Sequence, residues 1–156
     1  MRLVIFMITK IIQDKKFLSS PCKPNKVTED GLKIGQYLLE ILAQTKNGVG
    51  LAANQIGMDK AVCVIAVGEP IILVNPKIVG KFGKFSFMEA SLSFPGEYIK
   101  TERYSNIAVK ADNFTEILYF DSKKNALECV CVQHEIDHLN GITMHDRKKG
   151  ENSGKN

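Results

Sequence analysis

The first long periodic pattern of apolar residues follows Thr28. Apolar side chains recur there at the three- and four-residue spacing of one helix face: Ile34, Tyr37, Leu38, Ile41 and Leu42. The pattern predicts a helix that Thr28 caps and that ends before Gly48. The preceding sequence MRLVIFMITKII is apolar but interrupted by Thr9 and Lys10, and no small-residue cleavage site follows it. We therefore expect a first strand or an ordered leader there, and not a secretion signal.

The middle of the chain has the pattern of short strands. Apolar and β-branched runs are separated by turn residues such as Glu69-Pro70, and these runs are AVCVIAV, IILVN, IAVK and EILYF. A second helix is predicted from about Asn125 to Leu139, because the following Asn-Gly pair favours a left-handed cap. The order of helix, many short strands and helix lacks regular strand-helix alternation. It therefore indicates an α+β fold.

Length and composition indicate one ordinary globular domain. The chain has 156 residues, of which 44% are hydrophobic and 24% charged, close to the averages for soluble domains. We assign residues 1–147 to that domain and the polar residues 148–156 to a flexible tail. No apolar stretch reaches membrane-spanning length. We therefore expect no membrane partner, and a monomer is the default for a compact single domain. The formal charge of +4 suits a solvated surface, so we expect no nucleic-acid partner.

Four cysteines, Cys22, Cys63, Cys129 and Cys131, are present without a C-x-x-C pair. Cys63 lies inside an apolar run, which indicates a buried thiol. We interpret all four as reduced thiols, which predicts a cytoplasmic location.

The sequence HEIDH at residues 134–138 carries the most specific chemistry and lies inside the second predicted helix. Residues four apart share a helix face, so His134 and His138 can bind one metal ion with Glu135 beside it. This arrangement suits metal-assisted hydrolysis; the alternative is a surface helix with incidental histidines. A tetrahedral catalytic site also needs a third protein ligand and an open position for water. Cys131 shares the histidine face but is better explained as a core thiol, and Val130 and Cys131 are candidates for the wall of an apolar pocket.

The sequence GVGLAANQ at residues 48–55 is a second candidate for function. It fits a loose dinucleotide-binding fingerprint, but that motif needs a strand before it and a helix after it, the reverse of the predicted order. Glycines at 48 and 50 would let a bound peptide approach the backbone, and Gln55 could donate to a polarised carbonyl. A tight turn from helix to strand explains this segment equally well.

A third segment, EASLSFPG at residues 89–96, taken alone would be a loop after a strand. Taken together with the two segments above, it makes the chain resemble the peptide deformylase family. That family carries the motifs G-x-G-x-A-A-x-Q, E-G-C-L-S and Q-H-E-x-D-H in this order. The chain has GVGLAANQ, EASLS and QHEIDH. Glu89, Leu92 and Ser93 are kept, whereas Ala90 replaces the glycine and Ser91 the cysteine. The likeness extends over about residues 30–147 and includes Leu-Val-Asn-Pro at 73–76, Arg103 and DHLNGITMHDR.

The resemblance implies an α+β fold of mixed or antiparallel short-strand sheets packed around a central helix carrying HEIDH. It implies one divalent metal ion, Fe²⁺ in the cell and also Zn²⁺, Ni²⁺ or Co²⁺, at the positions of Ser91, His134 and His138. Glu135 would handle the proton of the attacking water. The implied reaction removes the formyl group from N-formylmethionyl nascent peptides.

The remaining roles implied by the resemblance concern the substrate. The Gln55 amide and the backbone N–H of Leu92 would stabilise the oxyanion. Val49 and Gly50 would pair with the substrate backbone, and an apolar pocket would take the methionine side chain.

Many bacterial members dock at the ribosome through a long helix beyond the position of Arg147. This chain has none in its sequence, so ribosome association is doubtful. The compact end is similar to phage and organelle forms, and the source could be a bacterial cell, a phage-infected host or an organelle.

Ser91 is the departure that decides what to expect of this chain. A serine hydroxyl is neutral and hard where a thiolate is anionic and soft, so we expect weakened metal binding and low turnover. Because Gln55, Glu135 and both histidines remain, an engineered or recent replacement is favoured over a natural variant with altered or lost activity. One alternative is an inactive deformylase-like module that binds formyl-Met or Met N-termini. Another is a zinc endopeptidase, whose third ligand would have to be His145 or Asp146.

Overall fold

The computed structural model describes residues 10–150. The α-helices in this range are α1 (Lys15–Leu18), α2 (Thr28–Ala43) and α3 (Ala126–Leu139), and short 3-10 helices span Ala53–Ile56 and Met144–Arg147. The strands are β1 (Gly50–Ala52), β2 (Val62–Ile65), β3 (Ile71–Val74), β4 (Lys77–Phe82), β5 (Phe85–Ser91), β6 (Phe94–Arg103), β7 (Asn106–Lys110) and β8 (Leu118–Asp121). Among these helices none is long and apolar enough to cross a membrane.

The strands form three small sheets. Their orders are β1-β2-β3, β4-β7-β8 and the two-stranded hairpin β5-β6, and every pairing between the described strands is antiparallel. Antiparallel neighbours need only short connections, which explains how so many strands fit between two helices. The predicted α+β fold class is confirmed.

The sheet β1-β2-β3 is covered by a helix on each face. Along β2, Val62 and Val64 join an apolar cluster with α2, whereas Cys63 and Ile65 join a cluster with α3. Successive residues of a strand point to opposite faces, so burial of both faces makes the whole strand apolar. On the α2 side the packing is close, because a Cβ added to Gly35 would lie 2.3 Å from Cγ2 of Ile72. The helix carrying HEIDH is therefore packed against one apolar face of this sheet.

The two predicted long helices are present, with one difference in capping. Helix α3 begins after Asn125, whose side chain accepts from the backbone N–H of Glu128 at 3.0 Å, and Gly141 follows it with φ 73°. Both ends agree with the prediction. The start of α2 does not, because Thr28 is the first helical residue and Val27 occupies the cap position without a side-chain hydrogen bond.

The ends of the chain are only partly described. The predicted N-terminal strand or leader falls mainly on residues 1–9, outside the described residues, although the backbone N–H of Ile12 donates to the carbonyl of Gln55 at 2.7 Å. The first residues of the predicted tail contact β6. Lys148 pairs with Thr101 of β6, and the N–H of Lys149 donates to the carbonyl of Lys100 at 2.8 Å. Residues 151–156 lie outside the described part.

Candidate metal centre

Helix α3 brings His134 and His138 together on one face. Their Nε2 atoms are 3.2 Å apart, and both side chains are buried. Two imidazole ligands at 2.0–2.1 Å from a tetrahedrally coordinated ion would be separated by about 3.3 Å. Burial also holds the pKa of His138 well below its usual range, so its ring is neutral and able to donate a lone pair. The pair is thus spaced for one divalent cation.

Glu89 of β5 orients the first of these histidines. Its Oε1 lies 2.7 Å from Nδ1 of His134, so Nδ1 carries the proton and the Nε2 lone pair is free for a ligand. Burial alone would raise the pKa of Glu89, but the hydrogen bonds and charges of Arg103 and His134 outweigh it and hold that pKa well below its usual range. Thr101 also donates its hydroxyl to this carboxylate. A charged carboxylate therefore fixes the ring of His134.

A buried ionic network continues from Glu89 through Arg103 and Asp137 to Arg147. Arg103 of β6 donates Nη2 to Glu89 at 2.7 Å and Nη1 to Asp137 of α3. Arg147 donates Nε and Nη2 to Asp137, each at 3.0 Å. The side chain of Arg103 is only 3% exposed, so its two carboxylate partners compensate its charge where water cannot. The network ties β5, β6, α3 and the C-terminal 3-10 helix together around the histidines.

Glu135 lies beside the two histidines. One ligand atom from each of His134, Glu135 and His138 can be chosen so that all lie within 4.8 Å of one another. Burial raises the pKa of Glu135 to about 7. Glu135 Oε1 and His138 Nδ1 are buried without a hydrogen-bond partner among the described residues. Two facing imidazoles with an unsatisfied carboxylate beside them fit a metal cation.

A cavity of about 500 Å³ opens onto this group. The residues predicted from the sequence that line it are Val49, Gly50, Gln55, Ser91, Leu92, Val130, Cys131, His134 and Glu135. His138 is fully buried and does not line the cavity. Sequence reasoning missed the lining residues Phe87, Met88, Pro95 and Leu127. Strand alternation from Ser91 could have indicated Phe87, and Leu127 precedes Val130 by one helical turn.

Ser91 is the last residue of β5 and not part of a loop, contrary to the prediction from its segment alone. It pairs with Phe94 at the start of β6, after an irregularity in the ladder that follows Glu89. Its Oγ accepts a hydrogen bond from the backbone N–H of Ser93 at 3.3 Å. The hydroxyl is therefore engaged within its own turn while it lines the cavity.

Gln55 is held in a fixed orientation by two hydrogen bonds. Its Oε1 accepts from the backbone N–H of Ala52 at 2.9 Å, and its Nε2 donates to Oγ of Ser93 at 3.0 Å. An amide nitrogen has two hydrogens, so a second donor remains for a ligand in the cavity. The GVGLAANQ segment forms β1 and the following 3-10 helix, an arrangement that a dinucleotide-binding turn does not have.

Cys131, His145 and Asp146 make other contacts. Cys131 Sγ lies 3.5 Å from the carbonyl oxygen of Val49, and the sulfur is not in the group of mutually close ligand atoms. His145 Nε2 lies 2.9 Å from Glu97, and Asp146 accepts from the backbone N–H of Thr143 at 3.0 Å. These contacts leave the endopeptidase alternative without support for its third ligand.

Gly50 lies directly against the side chains of Cys131 and Glu135, and Gly50→Ala is expected to displace them. The added Cβ would be 2.6 Å from Cys131 Sγ and 2.8 Å from Glu135 Oε2, well inside van der Waals contact. We expect overpacking of about 1–3 kcal/mol, measured by urea unfolding. Adding Cys131→Ala should recover part of that loss, whereas equal stability of Gly50→Ala and the unmodified protein would contradict the close packing around Gly50.

Comparison with known proteins gives a consistent result. A family model described as Polypeptide deformylase matches residues 8–153. Peptide deformylase 2 of Clostridium acetobutylicum is 38% identical over 86% of this chain and 91% of its own length, and Peptide deformylase 2 of Vibrio vulnificus is 42% identical over 67% and 64%. The crystal structure of peptide deformylase from Thermotoga maritima superposes with a TM-score of 0.79 at 30% identity, covering 90% of this chain and 97% of that one.

Proposed function

This chain belongs to the peptide deformylase family, metal-dependent hydrolases that remove N-formyl groups from nascent peptides, and we propose that Ser91 limits the turnover of this member. The observation that carries the proposal is the pair of histidine Nε2 atoms 3.2 Å apart, with Glu135 beside them at a cavity. The neutral Ser91 hydroxyl lines the same cavity and cannot supply the charge of a thiolate.

The residues that would hold the divalent ion are His134, His138 and Ser91. We propose Fe²⁺ as the physiological ion, with Zn²⁺, Ni²⁺ or Co²⁺ as substitutes. When bound, such an ion polarises a carbonyl oxygen and lowers the pKa of a water molecule. Glu89 supports the site by holding the proton of His134 on Nδ1.

Glu135 is proposed as the general base that accepts the proton of the attacking water. Its burial raises its pKa to about 7, close to the value that favours proton transfer at neutral pH. Gln55 Nε2 and the backbone N–H of Leu92 would donate to the oxygen on which negative charge develops. Both residues line the cavity, and Gln55 is already oriented by Ala52 and Ser93.

The substrate is proposed to lie along the cavity with its backbone beside Val49 and Gly50. Close approach is possible there because Gly50 has no side chain and lies against Cys131 and Glu135. Val130 and Cys131 would form part of the wall around the methionine side chain. Both are buried apolar residues that line the cavity.

We propose one catalytic domain that acts as a cytoplasmic monomer on formyl-Met nascent peptides. We propose an engineered or recent origin of Ser91, because the other site residues are intact.

Formate release from a formyl-Met peptide tests this function. With Fe²⁺ or Co²⁺ supplied without oxygen, we expect slow formate release that a chelator abolishes, and no acetate release from an acetyl-Met peptide. Complete absence of formate, with the peptide still bound, would instead support the inactive binding module.

A further inference from the structure

The metal site of this chain lacks an anionic ligand at the position where the family has a thiolate. His134 and His138 are neutral donors when they bind a metal, and the Ser91 hydroxyl is neutral as well. That hydroxyl also accepts the N–H of Ser93. A divalent ion between the histidines would therefore face no negative charge from these three residues.

Glu135 is the carboxylate best placed to supply that charge. The two other buried carboxylates nearby, Glu89 and Asp137, are occupied by Arg103, and Asp137 also by Arg147. By contrast, Oε1 of Glu135 is buried without a partner among the described residues. A ligand atom of this carboxylate lies within 4.8 Å of one on each histidine.

Resting on the proposed function, we propose that Glu135 is a direct ligand of the metal ion in this chain, replacing the anionic donor that Ser91 does not provide. Glu135 then joins His134 and His138 as the charged ligand, Ser91 offers only a neutral oxygen, and the ion is a borderline divalent metal such as Zn²⁺ or Co²⁺. One carboxylate then serves two purposes. While it binds the ion it cannot accept a proton from water, which is expected to lower turnover further.

The affinity for Zn²⁺, measured by chelator competition, tests the inference without any turnover. Glu135→Gln keeps the shape of the side chain but removes its charge, and we expect it to lower the affinity by at least about 100-fold, since losing even an outer-shell partner costs 10- to 100-fold. Glu135→Asp is the matched control for charge, because it keeps the anion but withdraws it by one methylene. We expect it to lose affinity as well.

The same substitutions in a Ser91→Cys variant complete a double-mutant cycle. There the thiolate supplies the charge, so Glu135→Gln is expected to change Zn²⁺ affinity far less than in the Ser91 protein. The absorption spectrum of bound Co²⁺ should change when Glu135→Gln is made in the Ser91 protein. In the Ser91→Cys protein, the same substitution should leave the thiolate charge-transfer band in place. Circular dichroism of the metal-free proteins checks that each variant folds.

Equal effects of Glu135→Gln in both backgrounds would overturn the inference, because they would indicate a distant charge and not a ligand. No effect in either background, or retention of affinity in Glu135→Asp, would overturn it too. If the unmodified chain binds no Zn²⁺, the inference fails while formate release by Ser91→Cys still supports the proposed deformylase function. If Ser91→Cys binds metal but releases no formate, the proposed function fails while the affinity cycle still decides the ligand.

Discussion

Ser91→Cys is expected to raise both metal affinity and formate release, each by at least about 100-fold, since losing even an outer-shell partner costs 10- to 100-fold. The substitution replaces a neutral hydroxyl by a sulfur that ionises when it binds a metal. The surrounding site needs no other change, because the histidine Nε2 atoms are already 3.2 Å apart and Glu89 already orients His134. Affinity by chelator competition and initial rates on a formyl-Met peptide measure the two effects.

Ser91→Ala is the matched control for this prediction. If the serine hydroxyl contributes little as a ligand, the alanine variant should bind metal and release formate about as weakly as the unmodified chain. The hydroxyl also accepts the N–H of Ser93, so a small loss of stability is expected on its removal. Full activity of the unmodified protein, with no gain on Ser91→Cys, would contradict the role assigned to position 91.

Features governed by local sequence signals were predicted well. Helix α3 follows from HEIDH, the Asn125 cap and Gly141, all of which act within one or two turns. Strand β2 follows from its apolar run. The four-residue helix α1 was missed because it is too short to show a period; its start is set by Asp14, which accepts from the N–H of Lys16 at 2.9 Å.

The long-range part of the site could not be predicted from the residues alone. Arg103 is 14 residues from Glu89 and 34 residues from Asp137, and only the folded chain brings the three together. The expectation that Ser91 belongs to the same site as the histidines came from family resemblance and not from periodicity. Spacing along a helix predicts a histidine pair, but whether a strand residue such as Ser91 reaches the same cavity depends on tertiary packing.

The largest effect on stability is expected from a substitution in the buried ionic network. Arg103→Met is expected to lower the free energy of unfolding of the metal-free protein by about 3–5 kcal/mol, because it leaves the buried Glu89 without its guanidinium partner and Asp137 with Arg147 alone. Glu89 and Asp137 are the groups concerned, with side chains 2% and 9% exposed. Urea unfolding followed by circular dichroism measures the change. Arg103→Lys should lie between the two proteins, since an ammonium keeps the charge but cannot bond both carboxylates in fork geometry.

Lys84→Met provides the matched control, because it removes a cation from an ion pair at the surface of the same chain. Lys84 Nζ lies 3.4 Å from Glu102, and the two side chains are 62% and 43% exposed. Water screens such a pair, so its loss should cost at most about 1 kcal/mol. Similar small losses in both variants would show that the partners of Arg103 reach water or neutralise when it is removed. A large loss confined to Arg103→Met, together with weaker metal binding, would show that the network that stabilises the fold also holds His134 in place.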